Sequence, residues 1–559
     1  MPKSKLKSKK HPSPSVEPPA PSLKERTAKK RKAQLERQSL ITFTIFAVMF
    51  SGIVGLLLGL LGGGLPVGVG VTAALLVLTL SFRYPRQALW GFLIYVPFAG
   101  TITYYVGASS LMQLAKDAFY IPALFGTIQY CRREHLPVFI PKPLMPLLGI
   151  LLALCLLTLF FVNGFQAIAA TQVLQLTEER GPEYPFWLGV LGLKVFLGYI
   201  PLIICAYYLL RNKQDLYFLM RMLSVLAIIC CALCFIQYIF LKTGRCQGTV
   251  GSGADLFKAS LQARCFVGGS LLYSLEQGQI RLPGTFVAPW QWGWYLISSA
   301  FFTFATAFSD PRARWRTTGL LAMATVMITA VISGQRIALV LVPLIFAILT
   351  VLTGQVANLK RFIPVAVGLA LLLGVAAVTN PDVTQQRWAS FVSRWEASPP
   401  QQFIVEQFNQ VSRGQQGLLG RGLGRATNSA RFLGKTTLLE SYYPKVLYEV
   451  GPLGVLAFLA VVTMLTILTF KAYRSVRDRN LRSYGACCWV FVLFVSYNTY
   501  YYPLDVDPVA VYYWFIAGVI LRLPDLDRQE RLQAATPDLP TKRKRRLRKA
   551  QEPIPQPST

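Results

Sequence analysis

The sequence contains few acidic residues and almost no histidine. Its 559 residues include 25 Asp plus Glu against 57 Lys plus Arg, and the two histidines are His11 and His135. Only 15% of the residues are charged, whereas soluble domains are nearer about 25%. No cysteine–histidine or carboxylate cluster has metal-ligand spacing. We therefore expect no metal and no cofactor, and the low charge excludes a set of small soluble domains.

Hydrophobic residues make up 53% of the chain and occur in long runs. Each run is close to the ~20 residues that cross a bilayer as a helix. The sequence therefore predicts an all-α fold, a polytopic transmembrane helical bundle of about fourteen helices. The predicted spans are 40–62, 65–83, 88–107, 113–130, 144–163, 186–210, 216–241, 285–308, 317–334, 337–354, 362–380, 447–470, 484–503 and 508–522.

Basic residues are concentrated in alternate links between these runs and in both tails. The C-terminal tail carries KRKRRLRK at 542–549. Cytoplasmic links of membrane proteins have an excess of Lys and Arg, so we expect a multi-pass inner (plasma) membrane protein with both termini in the cytoplasm. Beside membrane segments, a basic stretch favours contact with anionic lipids over nucleic acid.

This topology divides the chain into five segments. The two basic tails are predicted to be disordered and cytoplasmic, and one outward loop separates two transmembrane regions. The second region includes a large outward loop between the eleventh and twelfth helices, and the first includes a shorter one at 164–185. The segments are 1–39 (tail), 40–241 (N-terminal bundle), 242–284 (outward loop), 285–522 (second region, with loop 381–446) and 523–559 (tail).

Two cysteines, Cys246 and Cys265, share the outward loop 242–284. They are plausible disulfide partners if that side of the membrane is oxidising. Two free thiols are the alternative, because sequence alone does not fix cysteine pairing.

Residues 281–296, RLPGTFVAPWQWGWYL, re-enter the membrane from the outer side. Arg281 precedes a Pro-Gly turn, and four large aromatic residues follow it. These aromatic residues could form an interfacial belt or a platform on which a sugar ring stacks. They are Trp290, Trp292, Trp294 and Tyr295.

A second segment, ISGQRIALV at 332–340, forms a tight hairpin between two apolar runs. It puts Arg336 at the outer mouth of the membrane region. A charged residue there is expensive and is functional by default. The alternative is an arginine that extends to the lipid headgroups.

The third segment, 418–459, combines glycines, arginines and one glutamate. Closely spaced backbone N–H groups can form an anion nest, and guanidinium groups match phosphate oxygens. The alternatives are a flexible loop for the glycines and a helix N-terminal charge for the glutamate. The residues concerned are Gly420, Arg421, Gly422, Gly424, Arg425, Arg431 and Glu440.

Together these segments resemble the O-antigen ligase/polymerase superfamily of bacterial and cyanobacterial membrane proteins. The family's Arg-x-x-Gly-Thr-Phe pattern corresponds to 281–286, and its Ser-Gly-x-Arg hairpin corresponds to 333–336. Its Gly-x-Gly loop and later Gly-x-x-Gly correspond to 422–424 and 451–454. The similarity covers roughly 280–460, while the N-terminal half matches only in hydropathy.

The sequence departs from the ligase pattern at one position. Ligase members carry a histidine followed by Asn, Ser or Gln, and nine residues later the Gly-x-x-Gly. Counted back from Gly451, this position is Glu440, which is followed by Ser441. The chain is therefore more similar to polymerase-type or uncharacterised members, in which an acidic residue can take this place.

The resemblance implies a metal-independent membrane glycosyltransferase of cell-surface polysaccharide biosynthesis. Its substrate would be a polyprenyl-diphosphate-linked oligosaccharide at the outer face of the inner membrane, ligated or polymerised onto a glycan or lipid-linked acceptor. Arg336 and Glu440 would be catalytic. The diphosphate contacts would come from Arg336, Arg421 and Arg425, with Arg281 and Arg431 as further candidates.

Two other functions are compatible with the sequence. A transporter of a small anion such as bicarbonate could use outward arginines to bind its cargo. Transporters usually place such sites at the bilayer midplane and often show internal repeats, whereas these charges gather at the outer mouth. A non-catalytic scaffold of polysaccharide assembly is the third hypothesis.

Overall fold

The structure is a computed structural model that divides into two compact units, Met1–Leu80 and Ser81–Thr559. The residues that it describes are 23–106, 115–174, 183–246, 265–268, 272–274, 279–355, 399–413, 417–501 and 503–535, with single positions between 370 and 396. The predicted span at 362–380 therefore lies largely outside the described residues.

The described chain is helical apart from one short antiparallel hairpin. Its strands, β1 (Leu272–Ser274) and β2 (Gln279–Arg281), pair Leu272 with Arg281. The α-helices are α1 (Leu23–Leu58), α2 (Gly64–Arg83), α3 (Pro85–Tyr95), α4 (Ala99–Val106), α5 (Ala115–Arg133), α6 (Leu144–Leu157), α7 (Gly164–Leu174), α8 (Pro185–Leu197), α9 (Leu202–Leu209), α10 (Lys213–Lys242), α11 (Pro289–Ser309), α12 (Ala313–Ile332), α13 (Arg336–Leu352), α14 (Pro400–Ser412), α15 (Tyr442–Ser475), α16 (Arg479–Tyr497) and α17 (Val509–Ala535).

The helical architecture predicted from the apolar runs is confirmed for the described residues. Among the described residues, seven helical stretches are long and apolar enough to cross a bilayer, and two shorter apolar helices accompany them. The seven are Gln38–Leu61, Leu144–Ala169, Pro185–Leu209, Lys213–Lys242, Ala313–Ile332, Tyr442–Ser475 and Val509–Ala534.

Three predicted boundaries are corrected by the helices. α1 begins at Leu23 and α17 ends at Ala535, so helix extends into both tails that were expected to be disordered. Lys, Arg, Glu, Gln and Ala dominate these extensions, and all five are good helix formers. The predicted loop 164–185 is also helical up to Leu174, because a π-helical turn at Thr158–Asn163 joins α6 to α7 without a break.

In the first unit, α1 and α2 approach each other at glycines. A Cβ on Gly55 would lie 2.5 Å from the carbonyl oxygen of Gly68, and a Cβ on Gly68 would lie 2.8 Å from that of Gly55. Small residues allow such close backbone contact between membrane helices.

In the second unit, α11 is the central helix. It packs against α10, α12, α13 and α16, and from Trp292 to Ser309 every residue is buried. A helix that is apolar on all sides is expected in the interior rather than at a surface. This position of α11 fixes the segment that precedes it, which carries Arg281.

Buried charges connect the ends of several helices in the second unit. Arg221 on α10 donates two hydrogen bonds to Asp310, at 2.7 and 2.9 Å, and Asp310 directly follows α11. Tyr484 on α16 donates a third, at 3.3 Å. Asp310 is 2% exposed. Removing one member of a buried pair leaves the other charge desolvated and unpaired.

We expect Asp310→Ala to destabilise the folded protein by about 3–5 kcal/mol, because Arg221 would stay buried without its carboxylate. Thermal unfolding of the purified protein in detergent measures this. The control is Lys142→Ala, which removes an exposed cation from a turn and should change stability by less than about 0.5 kcal/mol. Equal losses of stability in the two variants would contradict a stabilising role for the Arg221–Asp310 pair.

Candidate functional site

Arg281 lies at the end of β2, just before the turn that leads into α11. Gly284 in this turn has φ +56°, and a Cβ there would lie 2.6 Å from the ring of Trp292. Only glycine fits such a close approach at positive φ. The N–H of Leu282 donates to the carbonyl oxygen of Ser333 at 3.0 Å. Arg281 is thereby held against the hairpin between α12 and α13.

Arg336 is the first residue of α13 and follows that hairpin directly. Gly334 reverses the chain with φ +69°. Both Arg336 and Arg281 are partly exposed, and their positive charges interact with each other. Two like charges held together are unfavourable unless an anion compensates them. The two segments thus form a cationic site.

Glu440 joins this site from the third segment. Its backbone N–H donates to Gln407 Oε1 on α14 at 2.8 Å, and its carboxylate interacts electrostatically with Arg281. Partial burial raises the pKa of Glu440 above its ordinary value, although the positive charge of Arg281 opposes the shift. Burial likewise lowers the pKa of Arg281, against the negative charge of Glu440. The fold therefore brings Arg281, Arg336 and Glu440 together.

Sequence reasoning missed two further residues of the site, Tyr500 and Tyr501, in the link between α16 and α17. Tyr501 lies close enough to Arg281 and Arg336 to affect the pKa of both guanidinium groups, and Tyr500 lies close to Arg336 and Glu440. Burial, together with the neighbouring Tyr501, raises the pKa of Tyr500. The available signal was the aromatic run SYNTYYYP at 496–503, which follows an apolar helix.

The glycine-rich loop at 420–424 packs against a break in α15. Gly451 interrupts that helix with φ +79°, and Pro452 follows it. Proline has no N–H to bond the carbonyl four residues earlier, and that carbonyl, on Tyr448, accepts from the N–H of Arg421 at 2.8 Å. The N–H of Gly422 donates to the next carbonyl, on Glu449, at 3.2 Å.

Asn163, at the π-helical turn, holds the same loop from the other side. Its Oδ1 accepts from the N–H of Leu423 at 2.9 Å, and its Nδ2 donates to the carbonyl oxygen of Leu423 at 3.0 Å. The Glu449 carboxylate accepts from the N–H of Ala426 at 2.8 Å. Of the glycine amides that the sequence suggested as an anion nest, that of Gly422 thus donates to a protein acceptor, as do the neighbouring amides of Arg421 and Leu423.

The three arginines of this loop also contact protein groups. The Arg421 guanidinium lies 5.5 Å from the centroid of the Tyr448 ring. The Arg425 guanidinium donates to Gln166 Oε1 at 2.9 and 3.1 Å and to Glu183 Oε2 at 3.4 Å. Arg431 is exposed and donates to Asn428 Oδ1 at 2.9 Å. None of these contacts involves the Arg281–Arg336–Glu440 group.

The aromatic residues after Arg281 are not an exposed belt or platform. Trp292, Trp294 and Tyr295 are at most 2% exposed, whereas Trp290 is 36% exposed. Both hypotheses are therefore wrong for the three buried residues. The reason is the central position of α11, which places its aromatic side chains in the core rather than at the lipid interface.

Cys246 and Cys265 form a disulfide, with their Cα atoms 5.5 Å apart. Of the two alternatives, the structure therefore shows the disulfide and not two free thiols. The buried side chain of Gln237 on α10 donates to the carbonyl oxygens of Cys265, at 3.2 Å, and of Gly268, at 3.0 Å. The disulfide and Gln237 together attach the segment 265–268 to the end of α10.

No protein-family profile matches the chain, and a search of curated proteins finds no similar sequence. Function has to be inferred from the residues that the fold brings together. Beside the charged group, Gln335 Nε2 and Ser441 Oγ are buried without a hydrogen-bond partner in the described part of the chain. Such groups are rare in folded proteins, and these two could bond a polar substrate.

The packing of the glycine-rich loop at 420–424 can be tested by substitution. We expect Gly424→Ala to destabilise the protein by more than about 1 kcal/mol, because φ is +81° and a Cβ would lie 2.2 Å from the carbonyl oxygen of Leu188. Gly149→Ala on α6 is the matched control, because a Cβ there meets no atom within 4 Å and the better helix propensity should stabilise by about 0.5–1 kcal/mol. Thermal unfolding in detergent measures both, and shifts of the same sign would contradict the assignment.

Proposed function

We propose that the chain is a membrane glycosyltransferase of the O-antigen ligase/polymerase type. It would transfer or polymerise a polyprenyl-diphosphate-linked oligosaccharide at the outer face of the inner membrane, in cell-surface polysaccharide biosynthesis. The observation that carries this proposal is the convergence of Arg281, Arg336 and Glu440 from three distant segments. Two cations and one partly buried carboxylate are the groups that a diphosphate leaving group and a hydroxyl acceptor require.

In this proposal Arg281 and Arg336 bind the diphosphate of the donor. Guanidinium groups stay charged and match phosphate oxygens with two parallel hydrogen bonds. The two like charges already lie together, so the donor would find its counter-charges in position. Negative charge accumulates on the departing diphosphate in the transition state, and fixed positive groups then contribute the main electrostatic stabilisation.

Glu440 orients the acceptor and takes its proton. The acceptor hydroxyl oxygen bonds to the anomeric carbon of the donor sugar, and the bond from that carbon to the phosphate oxygen breaks. The electron pair of this bond leaves with the polyprenyl diphosphate, while the hydroxyl proton moves to the Glu440 carboxylate. General-base assistance of this kind contributes about 10²–10⁴-fold.

The remaining arginines take a supporting part in the proposal. Arg421 and Arg425 contact Tyr448, Gln166 and Glu183, so we assign them to holding the loop rather than to the diphosphate. Arg431 is exposed and stays a candidate for contact with the diphosphate or with the glycan chain.

The predicted topology puts the proposed site at the outer face of the membrane. With about fourteen spans and both termini in the cytoplasm, the segments that contribute Arg281, Arg336 and Glu440 all face outward. The same topology puts the disulfide on the outer side, where oxidising conditions allow it to form. The donor's prenyl tail would remain in the lipid while its headgroup enters the site.

We expect Arg281→Ala, Arg336→Ala and Glu440→Gln each to lower the rate of glycan transfer by about 10²–10³-fold, because each removes a charge that acts on the transition state. The measurement is transfer by membranes that contain the variant and are supplied with lipid-linked donor. The matched control is Arg413→Ala, which should retain full transfer. Arg413 is an exposed cation on the predicted loop 381–446, which also contains Glu440.

Full transfer by correctly inserted Arg336→Ala and Glu440→Gln proteins would overturn this assignment. If every arginine variant supported polysaccharide assembly while the deletion did not, a scaffold without catalytic function would be favoured instead.

We also expect a pH dependence that belongs to Glu440. The residue works as a carboxylate, so transfer should fall as the pH decreases through its pKa. Burial raises this pKa, so the fall should occur above the ordinary ~4.3 of a glutamate. The measurement is the pH–rate profile of transfer. The residual activity of Glu440→Gln should not show this fall at low pH. The same fall in that variant would contradict the role of Glu440 as the proton acceptor.

A second candidate function, transport of a small anion such as bicarbonate, is favoured by a different observation. Three lysines of the second unit form largely buried ion pairs with aspartates, and intramembrane ionisable residues often mark ion pathways. Uptake of bicarbonate by proteoliposomes, with normal glycans in a deletion strain, would support this function over the enzyme. The pairs are Lys116–Asp507, Lys194–Asp117 and Lys445–Asp505.

A further inference from the structure

Three aromatic rings from two distant segments contact one another beside the charged group. Tyr500 and Tyr501 have ring centroids 4.6 Å apart. Phe403 on α14 lies 5.6 Å from the Tyr500 centroid and 5.8 Å from the Tyr501 centroid. All three residues are partly exposed. These residues, called the aromatic cluster below, therefore retain ring surface that a ligand could contact.

The backbone attaches the aromatic cluster to both sides of Glu440. On α14, Phe403 and Gln407 are four residues apart and so lie on one helix face, and Gln407 accepts the N–H of Glu440 at 2.8 Å. The N–H of Tyr442 donates to the carbonyl oxygen of Tyr501 at 3.1 Å. A group that reaches the Glu440 carboxylate would therefore pass next to these rings.

The conformation of Tyr501 is unusual for an aromatic residue. Its φ is +58°, in the left-handed region that bulky residues seldom adopt. Ion pairs of Lys445 with Asp505 and of Lys116 with Asp507 fix the chain that follows. Strained residues persist only where the surrounding structure enforces them, and they occur preferentially at ligand sites.

We propose that the aromatic cluster binds a pyranose ring of the acceptor glycan and presents its hydroxyl group to Glu440. This inference rests on the proposed function. A pyranose ring carries C–H groups on its faces and hydroxyl groups around its edge. An aromatic face packs against the C–H groups, while a nearby carboxylate can bond the edge.

The charges around the cluster favour a sugar over the prenyl tail of a lipid. Arg281, Arg336 and Glu440 each lie near one or both tyrosines. Covering these groups with hydrocarbon would desolvate them without any replacement hydrogen bond, which is strongly unfavourable. A polyhydroxylated ring supplies apolar faces and hydrogen-bonding groups together.

The first test compares the contribution of the Tyr500 ring to acceptor binding with that of its hydroxyl group. Transfer is measured in membranes with the acceptor varied at saturating donor. We expect Tyr500→Leu to raise the KM for the acceptor by about tenfold, the typical effect of removing an aromatic anchor. Tyr500→Phe, which keeps the ring, should stay within about twofold of wild type, as should the KM for the donor in both variants.

Tyr497→Leu is the matched control, because Tyr497 is also exposed, lies in the same aromatic run and is bonded to Thr463 outside the cluster. It should leave both KM values unchanged. An unchanged acceptor KM in Tyr500→Leu would overturn the proposal, and so would a change confined to the donor KM.

A second measurement does not depend on transfer. The glycan is released by mild acid from the lipid-linked pool of the source membranes, and its binding to the purified full-length protein in detergent is followed calorimetrically. Wild type and Tyr500→Phe should bind, and Tyr500→Leu should bind about tenfold more weakly. Absence of binding by the wild type would overturn the aromatic site, whereas binding without any transfer activity would overturn the proposed function alone.

Discussion

The structure depends on keeping two positive charges together where water reaches them only in part. Arg281 and Arg336 repel each other, and the fold has to hold them against that repulsion. The backbone does this in two ways. The hydrogen bond from the N–H of Leu282 to the carbonyl oxygen of Ser333 joins the two segments that carry the arginines. Gly284 and Gly334 allow these segments to turn at positive φ. The scaffold thus positions both charges, which is what the electrostatic stabilisation in the proposed function would require.

A break in a long helix anchors the glycine-rich loop that precedes Glu440 in the chain. Because Pro452 lacks an N–H, the carbonyl of Tyr448 is free to accept from Arg421, and the glycine-rich loop docks there. The Glu449 carboxylate bonds the same loop through Ala426. The loop therefore acts on the first turns of α15, directly after Glu440, and its glycines are needed for close packing rather than for anion binding.

Much of the fold followed from the sequence because long apolar runs and clustered basic links are strong local signals. Arg281, Arg336 and Glu440 could also be identified, since each is a charged residue at the end of an apolar run. The partners of Arg425 could not, because Gln166 and Glu183 lie more than two hundred residues away along the chain. Tyr500 and Tyr501 were missed for the same reason: an aromatic run at a helix end is common, and only tertiary packing sets it against Glu440.

The pairing of charges distinguishes a ligand site from structural ion pairs within the same unit. Each buried lysine of the three Lys–Asp pairs has a carboxylate of its own, so its charge is already balanced. Arg336, by contrast, interacts with another arginine and with tyrosines, and Arg281 interacts with Glu440. A balanced pair gains little from an added anion, whereas two adjacent guanidinium groups gain from a diphosphate that bridges them. In the proposed function, the positive charge of Arg281 and Arg336 that Glu440 leaves unbalanced is what would stabilise an anionic substrate.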